Sequence, residues 1–188
     1  LRSSSEDGPM TRMRDSILTS LARDTGVLYQ ETELCVLYIN GEYYGHYNMR
    51  ERAGVDMVAQ HEGWANADDI DILQSDGLST SQIKQGSNAD YKALYNKVKN
   101  ADLNSDPDLL AEVEASFDID NMFDYYIFES FYGNTDPGNV RFYRNTKSGD
   151  GKWRYLVFDM DWGLFNATGK SKGVEYAIGG VSYYMNEE

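Results

Sequence analysis

The stretch VRFYRNTKSGDGKWRYLVFDMDWGLF, residues 140–165, predicts two β-strands around a turn. Val140–Arg144 and Trp153–Phe158 are rich in β-branched and aromatic residues, and glycine, serine and aspartate lie between them. The second strand is apolar, yet Asp159 and Asp161 follow it directly. Because ionised carboxylates are costly in apolar surroundings, we expect a positive charge beside them.

The register of this hairpin predicts which side chains meet at its open end. A turn centred near Gly149 places Asn139 opposite Asp159. Asp136 lies just upstream in the loop GNTDPGNV, whose glycines and proline indicate an irregular backbone that exposes side chains. These three side chains are thus predicted to converge, with Asp161 nearby. Such oxygen donors suit Mg²⁺, Mn²⁺ or Ca²⁺ rather than zinc, and a divalent ion would supply the positive charge.

Composition limits the classes of function. The 188 residues, 41% of them apolar, suit one globular domain or two lobes of one. A net charge of −14 argues against binding to nucleic acid or to anionic lipid, since both require a basic face. No apolar run is long enough to cross a membrane. The single cysteine, Cys35, excludes an internal disulfide and a multi-cysteine zinc site.

The rest of the chain predicts a helix, a hairpin and a run of helices. Thr11–Arg23 has an amphipathic helical pattern that ends before Gly26. The tyrosine-rich segments Leu34–Asn40 and Glu42–Asn48 are joined by an Asn-Gly pair, which favours a type I′ turn. Further helical patterns cover Val55–His61, Tyr91–Ala101, Pro107–Ala115 and Asn121–Tyr132. Residues 74–88 are predicted to form a surface loop.

The order of polar residues in the last third of the chain is that of kinase-like phosphotransferases: aspartate, asparagine, hairpin, aspartate. In those enzymes the loop aspartate orients or deprotonates the acceptor hydroxyl, and the other two side chains hold metal ions that bridge the nucleotide phosphates. Phosphoryl transfer needs charge neutralisation more than covalent chemistry from the protein. An acidic protein can bind an acidic nucleotide through such metal ions.

Three segments, in the right order, resemble the CotH family of spore-coat and surface protein kinases. They are LYINGEYYGHYNMRER (37–52), GNTDPGNVRFYRN (133–145) and KWRYLVFDMDWGLF (152–165). The N-terminal LRSSSEDGPMTRMRD is similar to the segment that precedes the hairpin in that family. The resemblance implies an α+β, atypical protein-kinase-like fold, in which a small lobe contains the β-hairpin and a largely helical lobe carries the catalytic hairpin.

The resemblance also implies that the chain uses ATP and Mg²⁺ or Mn²⁺, with Ca²⁺ as an alternative ion, to phosphorylate protein hydroxyls. By position, Asp136 resembles the catalytic-loop aspartate, Asn139 the metal-binding asparagine and Asp159 the metal-binding aspartate. Asp161 resembles the second acid of the DxD motif of the family and is expected to support the metal or the loop. Glu51 matches the glutamate after the hairpin and is expected at the nucleotide site.

The whole chain, residues 1–188, is expected to form one domain, with about residues 1–52 in the small lobe and about 53–188 in the larger lobe. A strand that carries the phosphate-binding lysine is expected before Leu1, so we interpret the sequence as an N-terminally truncated fragment. The implied substrates are coat or cell-surface proteins, which predicts an extracellular, cell-surface or spore-coat location. Neither nucleic-acid binding nor membrane insertion is expected.

Other interpretations fit the same residues. Asp136 and Asn139 are three positions apart, whereas protein kinases use five. This short loop and the absent lysine strand suit a non-catalytic surface adhesion or scaffold module on the same fold. A domain stabilised by calcium is a third interpretation. As single residues, Asp159 and Asp161 are also typical of turn caps, and Glu51 of a solvated charge at a strand end.

Overall fold

The computed structural model describes residues 1–75, 81–134, 136 and 139–164, and this part of the chain is a mixed α+β structure. Its α-helices are α1 (Arg14–Ser20), α2 (Val55–Glu62), α3 (Ala89–Val98), α4 (Pro107–Ser116) and α5 (Ile119–Tyr132). Its strands are β1 (Leu28–Tyr29), β2 (Thr32–Ile39), β3 (Glu42–Arg50), β4 (Ile70–Ser75), β5 (Ser81–Gln85), β6 (Val140–Asn145) and β7 (Arg154–Val157). None of these helices has the length and apolarity needed to span a membrane.

A five-stranded mixed sheet forms the centre of the fold. Its strand order is β1-β7-β6-β4-β5, in which β1 runs parallel to β7 and the other neighbouring pairs are antiparallel. The hairpin of β6 and β7 therefore lies in the middle of the sheet. Helices cover both faces of this sheet, which explains why two successive residues of β7, Leu156 and Val157, are both fully buried.

Two hydrophobic clusters lie on opposite faces of the sheet. The first packs α1 and α5 against one face and includes Leu18, Ala22, Val27, Leu73, Tyr125, Phe128, Phe142, Trp153, Tyr155, Val157 and Met160. The second packs α2 against the other face and includes Ala53, Met57, Val58, Ile70, Ile72, Tyr143, Leu156 and Phe158. Successive residues of β7 alternate between the clusters because strand side chains point alternately to opposite faces.

The β2–β3 hairpin forms a separate two-stranded sheet, and its predicted turn is confirmed. Asn40 and Gly41 have φ angles of 51° and 85°, both positive as a type I′ turn requires. The register shifts between Leu37 and Tyr38. This hairpin exposes many apolar side chains: Leu34, Val36, Tyr38, Ile39, Tyr43, Tyr44 and Met49.

The prediction of a surface loop over residues 74–88 is wrong at residues 74–75 and 81–85, which lie in strands, whereas residues 86–88 lie in neither a strand nor a helix. Gln74 belongs to β4, which pairs with β6, and Ser81–Gln85 forms the neighbouring strand β5. Polar residues at the end of β4 and in β5 concealed the strand pattern, but the central strand β6 supplies backbone partners whichever side chains β4 carries. Residues 76–80 lie outside the described residues. The sequence did not predict β4 and β5. These two strands pair beside β6 and extend the predicted hairpin into a larger sheet.

The first helix is shorter than the predicted Thr11–Arg23. It begins at Arg14, and a 3-10 turn at Leu21–Asp24 replaces its last part. Within α1, Leu18 is buried, whereas Ile17 is about half exposed. The buried side of α1 is largely polar: Asp15, Ser16 and Thr19 are all buried.

The register of the β6–β7 hairpin differs by one residue from the prediction. Arg141 pairs with Leu156, which aligns position 139 with position 158. The connection is not symmetric about Gly149, since the Asn145 side chain accepts hydrogen bonds from the next turn residues and Gly151 also has positive φ. Strand pairing alone therefore does not place Asn139 opposite Asp159, and the backbone that follows β7 must bring these side chains together.

Candidate active site

The loop that carries Asp136 begins where α5 ends. Gly133 adopts the left-handed conformation, with φ 57° and ψ 42°, which ends the helix. The backbone N–H of Asn134 donates to the carbonyl of Glu129 at 3.0 Å. The side-chain oxygen of Asn134 in turn accepts from the backbone N–H of Asp136 at 3.4 Å. The loop is thus held to the last turn of α5 immediately before it reaches Asn139 and β6.

Asn139 joins two of the predicted aspartates. Its Nδ2 donates to Asp136 Oδ2 at 2.8 Å and to Asp159 Oδ2 at 3.0 Å. The structure therefore brings these three side chains together despite the shifted register. They meet because the chain leaves β7 at Phe158, and Asp159 takes a left-handed backbone conformation with φ 63° and ψ 50°. Aspartate tolerates this conformation better than most residues.

Gln74 binds the side-chain oxygen of Asn139 and is itself bound by Arg141. Gln74 Nε2 donates to Asn139 Oδ1 at 3.2 Å, and Arg141 Nη2 donates to Gln74 Oε1 at 2.6 Å. The Arg141 guanidinium lies 4.2 Å from the centroid of the Phe158 ring. Burial lowers the pKa of Arg141 to about 10, while Asp159 opposes the shift. Sequence reasoning missed Gln74 because it assigned that position to a loop.

Arg2 supplies positive charge beside both aspartates of the DMD sequence. Its Nη1 lies 2.8 Å from Asp15 Oδ2 and also forms an ion pair with Asp159 Oδ1. Its Nη2 donates to Asp161 Oδ2 at 2.8 Å. Burial opposes the charged form of Arg2, but the three carboxylates outweigh this effect and raise its pKa. The expected positive charge beside the aspartates is therefore present as a guanidinium.

Asp15 is the buried centre of this ion-pair network. Its carboxylate also pairs with Arg50, and its Oδ1 accepts from the backbone N–H of Met160 at 2.7 Å. Burial lowers the pKa of Arg50, and Asp15 opposes that shift. Arg2, Asp15 and Arg50 were missed from the sequence because no local pattern relates them to Asp159. The sequence did contain one indication of this network: the carboxylate of Asp15 occupies a buried position of α1.

Asp161 lies in a different environment from the other predicted site residues. Its carboxylate is 3% exposed and pairs with Arg2, and its backbone carbonyl accepts from Arg14 Nη1 at 3.1 Å. The hydrogen bonds that bring Asp136, Asn139 and Asp159 together do not include it. The structure thus places Asp161 in the Arg2 network.

The family model described as CotH kinase protein matches residues 1–186, which is nearly the whole chain. The chain belongs to the CotH kinase family. A search of curated proteins gave no match. The family confirms the resemblance read from the sequence segments, and it indicates a kinase-related function that acts on protein.

Two carboxylates and one side-chain amide are donor types that suit a hard divalent cation. The Oδ2 atoms of Asp136 and Asp159 both lie within 3.0 Å of Asn139 Nδ2, so the two carboxylates face one point. Asn139 adds an amide oxygen to the set, although here that oxygen accepts from Gln74. Among the described residues, no group of three or more His, Cys, Asp or Glu side chains is arranged to hold a metal. Water or phosphate would complete the coordination, as is usual for Mg²⁺.

Glu51 lies between the N-terminal hairpin and α2. One carboxylate oxygen accepts from the backbone N–H of Glu31 at 2.9 Å, and His61 Nε2 lies 3.0 Å from both oxygens. The side chain is about a quarter exposed. These contacts join the end of β3 to α2, and the role of Glu51 in nucleotide binding stays a prediction.

Glu129, which the sequence analysis did not single out, is completely buried next to the loop that carries Asp136. Burial raises its pKa to about 8, although hydrogen bonds with Asn134 and Tyr125 favour the ionised form. Asp136 adds a small effect in the same direction as burial. Its Oε2 makes no hydrogen bond in the structure. At neutral pH the carboxyl group is therefore mainly protonated.

Proposed function

We propose that this chain catalyses ATP- and divalent-metal-dependent phosphoryl transfer to a protein hydroxyl. Membership of the CotH kinase family supports the reaction class. The observation that carries the proposal is the hydrogen bonding of one Asn139 nitrogen to both Asp136 and Asp159. Such hydrogen bonding supports the proposal of one base and two metal ligands around one reacting group.

Each side chain has a distinct proposed role. Asp136 lies half-buried on the irregular loop and orients the acceptor hydroxyl. It accepts the hydroxyl proton as the bond from that oxygen to the γ-phosphorus forms and the bond from the γ-phosphorus to the ADP leaving group breaks. Asn139 and Asp159 hold the divalent ion, Mg²⁺ or Mn²⁺, which neutralises phosphate charge when bound. Asp161 supports the site by balancing the charge of Arg2. Glu51 is proposed to face the nucleotide from the end of β3.

The proposed acceptor is a protein of the spore coat or the cell surface, in an extracellular, cell-surface or spore-coat location. This part of the proposal rests on the family and on the acidic character of the chain, which carries a net charge of −14. That charge disfavours a nucleic-acid partner, because a phosphate backbone is bound through a basic surface.

Substitution of the two aspartates tests the proposal. Asp159→Asn should weaken Mg²⁺-dependent ATP binding more than about tenfold in calorimetry, since it removes the charge of a metal ligand. Asp136→Asn should leave that binding unchanged and lower phosphate transfer from ATP to casein by about 100-fold or more. The control Asp108→Asn changes an exposed carboxylate of α4 and should match the wild type in both assays. Unchanged binding in Asp159→Asn would contradict the metal assignment.

A non-catalytic surface adhesion or scaffold module is the second candidate function. The observation that favours it is the ion pairing of Arg2 with Asp159 and Asp161, which already balances part of the carboxylate charge. Binding of ATP with Mg²⁺ but no labelling of casein or of the chain itself would support this candidate. A melting temperature that rises with Ca²⁺ and not with nucleotide would instead favour a calcium-stabilised domain.

A further inference from the structure

We infer that Arg2 is a positioning residue for Asp159: its guanidinium holds one carboxylate oxygen and thereby directs the other towards Asn139 and Asp136. The inference rests on the proposed function for the role of Asp159 as a metal ligand. The position of the carboxylate itself is independent of that role. It can therefore be tested without a metal.

The backbone of Arg2 is held in place by hydrogen bonds, so its side chain starts from a fixed position. Its N–H donates to the carbonyl of Asn48 at 2.8 Å, and the N–H of Asn48 donates back to Arg2 at 2.9 Å. This bridge joins residue 2 to β3 near the C-terminal end of that strand. The Asn48 side chain is itself buried and hydrogen-bonded to Ser4 and Ser16.

The two oxygens of Asp159 face different partners. Oδ1 is buried and forms an ion pair with Arg2, with no hydrogen bond of normal geometry. Oδ2 accepts from Asn139 and shares that donor with Asp136. Because the buried oxygen forms its ion pair with Arg2, rotation of the carboxylate away from this arrangement would separate that oxygen from its charged partner.

The same guanidinium also fixes the chain around Asp159. Asp15, which pairs with Arg2, accepts from the backbone N–H of Met160, the residue that follows Asp159. Asp161 pairs with the other terminal nitrogen of Arg2. A planar fork can hold these separate carboxylates in one geometry, whereas an ammonium group offers a single charged nitrogen. The left-handed backbone of Asp159 is thus held from both sides.

Two opposite effects on cation binding follow from different roles of Arg2. If Arg2 acted only as a positive charge close to the site, its removal would strengthen the binding of a divalent cation. If it positions Asp159, its removal weakens binding, by about tenfold on the precedent of residues that orient metal ligands. The sign of the change therefore distinguishes the two roles.

The first measurement uses the metal-free protein. The side-chain amide of Asn139 is assigned in nitrogen-proton NMR spectra by its loss in Asn139→Asp, and its exchange with solvent is measured. In Arg2→Met this exchange should accelerate at least about tenfold, because the Asp159 acceptor is no longer held. Arg23→Met removes the charge of a largely exposed arginine that pairs with Glu31 and should leave the exchange unchanged. An unchanged exchange rate in folded Arg2→Met would overturn the inference.

The second measurement is Mn²⁺ binding followed by electron paramagnetic resonance. Arg2→Met should bind about tenfold more weakly than the wild type, and Arg2→Lys should recover only part of the loss because it lacks the fork. Tighter binding in Arg2→Met, or full recovery in Arg2→Lys, would overturn the inference. If the wild type binds no Mn²⁺ while the Asn139 amide responds as expected, the proposed metal site fails and the positioning role stands.

If Arg2→Met does not fold, a third variant tests the same inference. Asp161→Asn leaves Arg2 in place but weakens its hold by neutralising the partner of Nη2. We expect exchange of the Asn139 amide to accelerate in the same direction and to a smaller extent. Slower or unchanged exchange in this variant would overturn the inference.

Discussion

At the scale of single residues, Glu129 couples the stability of the fold to pH. Its pKa of about 8 in the folded protein lies well above the ordinary value of 4.5 for glutamate. Between these two pH values the folded state keeps a proton that the unfolded chain releases. The free energy of unfolding is therefore expected to fall as the pH rises through this window, and the contribution of Glu129 becomes constant above pH 8.

Glu129→Gln tests this coupling, because glutamine keeps the shape of the protonated acid and cannot ionise. The variant should resemble the wild type near pH 4.5 and exceed its free energy of unfolding at pH 8 by on the order of 2–4 kcal/mol. Urea denaturation at several pH values measures the difference. Glu114→Gln, at an exposed position of α4, should follow the wild-type profile. A difference that does not vary with pH would mean that Glu129 is ionised in the folded protein.

At the scale of the element, α5 positions the loop that carries Asp136, because both of its ends are anchored. Asp118 accepts from the backbone N–H of Asn121 at 3.2 Å and pairs with Arg154 of β7 at 3.0 Å. The Asn121 side chain accepts from the backbone N–H of Tyr155 at 2.6 Å. The start of α5 is therefore fixed to β7, and its end leads through Gly133 into the loop.

Loss of the N-cap at Asp118 should cost about 1 kcal/mol of stability. Asp118→Ala removes both the cap and the ion pair with Arg154, whereas Asp118→Ser keeps a capping oxygen and removes only the ion pair. We expect the serine variant to retain most of the wild-type stability in thermal unfolding, since a partly exposed ion pair contributes little. Equal destabilisation by serine and alanine would assign the effect to the ion pair instead.

At the scale of the whole molecule, the described part of the fold depends on a sheet that is covered on both faces. Ile72 is fully buried in the second hydrophobic cluster, against α2, while Ile83 on the neighbouring strand β5 is about half exposed. Because β5 is the last strand of the sheet, its side chains gain less from packing than those of β4.

Substitution of these two isoleucines should have unequal effects. Ile72→Ala should lower the free energy of unfolding by about 2–5 kcal/mol, because it leaves a cavity between the sheet and α2. Ile83→Ala should cost less than about 1 kcal/mol. Urea unfolding followed by tryptophan fluorescence measures both, since Trp64 and Trp153 pack against the sheet. Similar losses would show that the α2 face of the sheet is not a packed core.

Local sequence patterns predicted the elements that depend on neighbouring residues. The Asn-Gly turn, α2 to α5 and the strands of the last hairpin follow from periodicity and turn chemistry, which act over a few residues. The end of strand β4 was missed because Gln74 and Ser75 are polar and were assigned to a loop. Its assignment depends on pairing with β6, whose Arg141 lies opposite Gln74 and far away in the sequence.

The sequence by itself determined which side chains meet at the open end of the hairpin. Asn139 and Asp159 are 20 residues apart on one hairpin, so turn composition was enough to place them together even with a one-residue error in register. Only the tertiary structure decided that Arg2 and Asp15 surround Asp159. These residues are separated from the DMD sequence by about 145 residues or more. Packing of α1 and the N-terminal segment against the 3-10 turn at Met160–Trp162 brings them there. No local pattern encodes such a contact, because the residues that make it are far apart in the sequence.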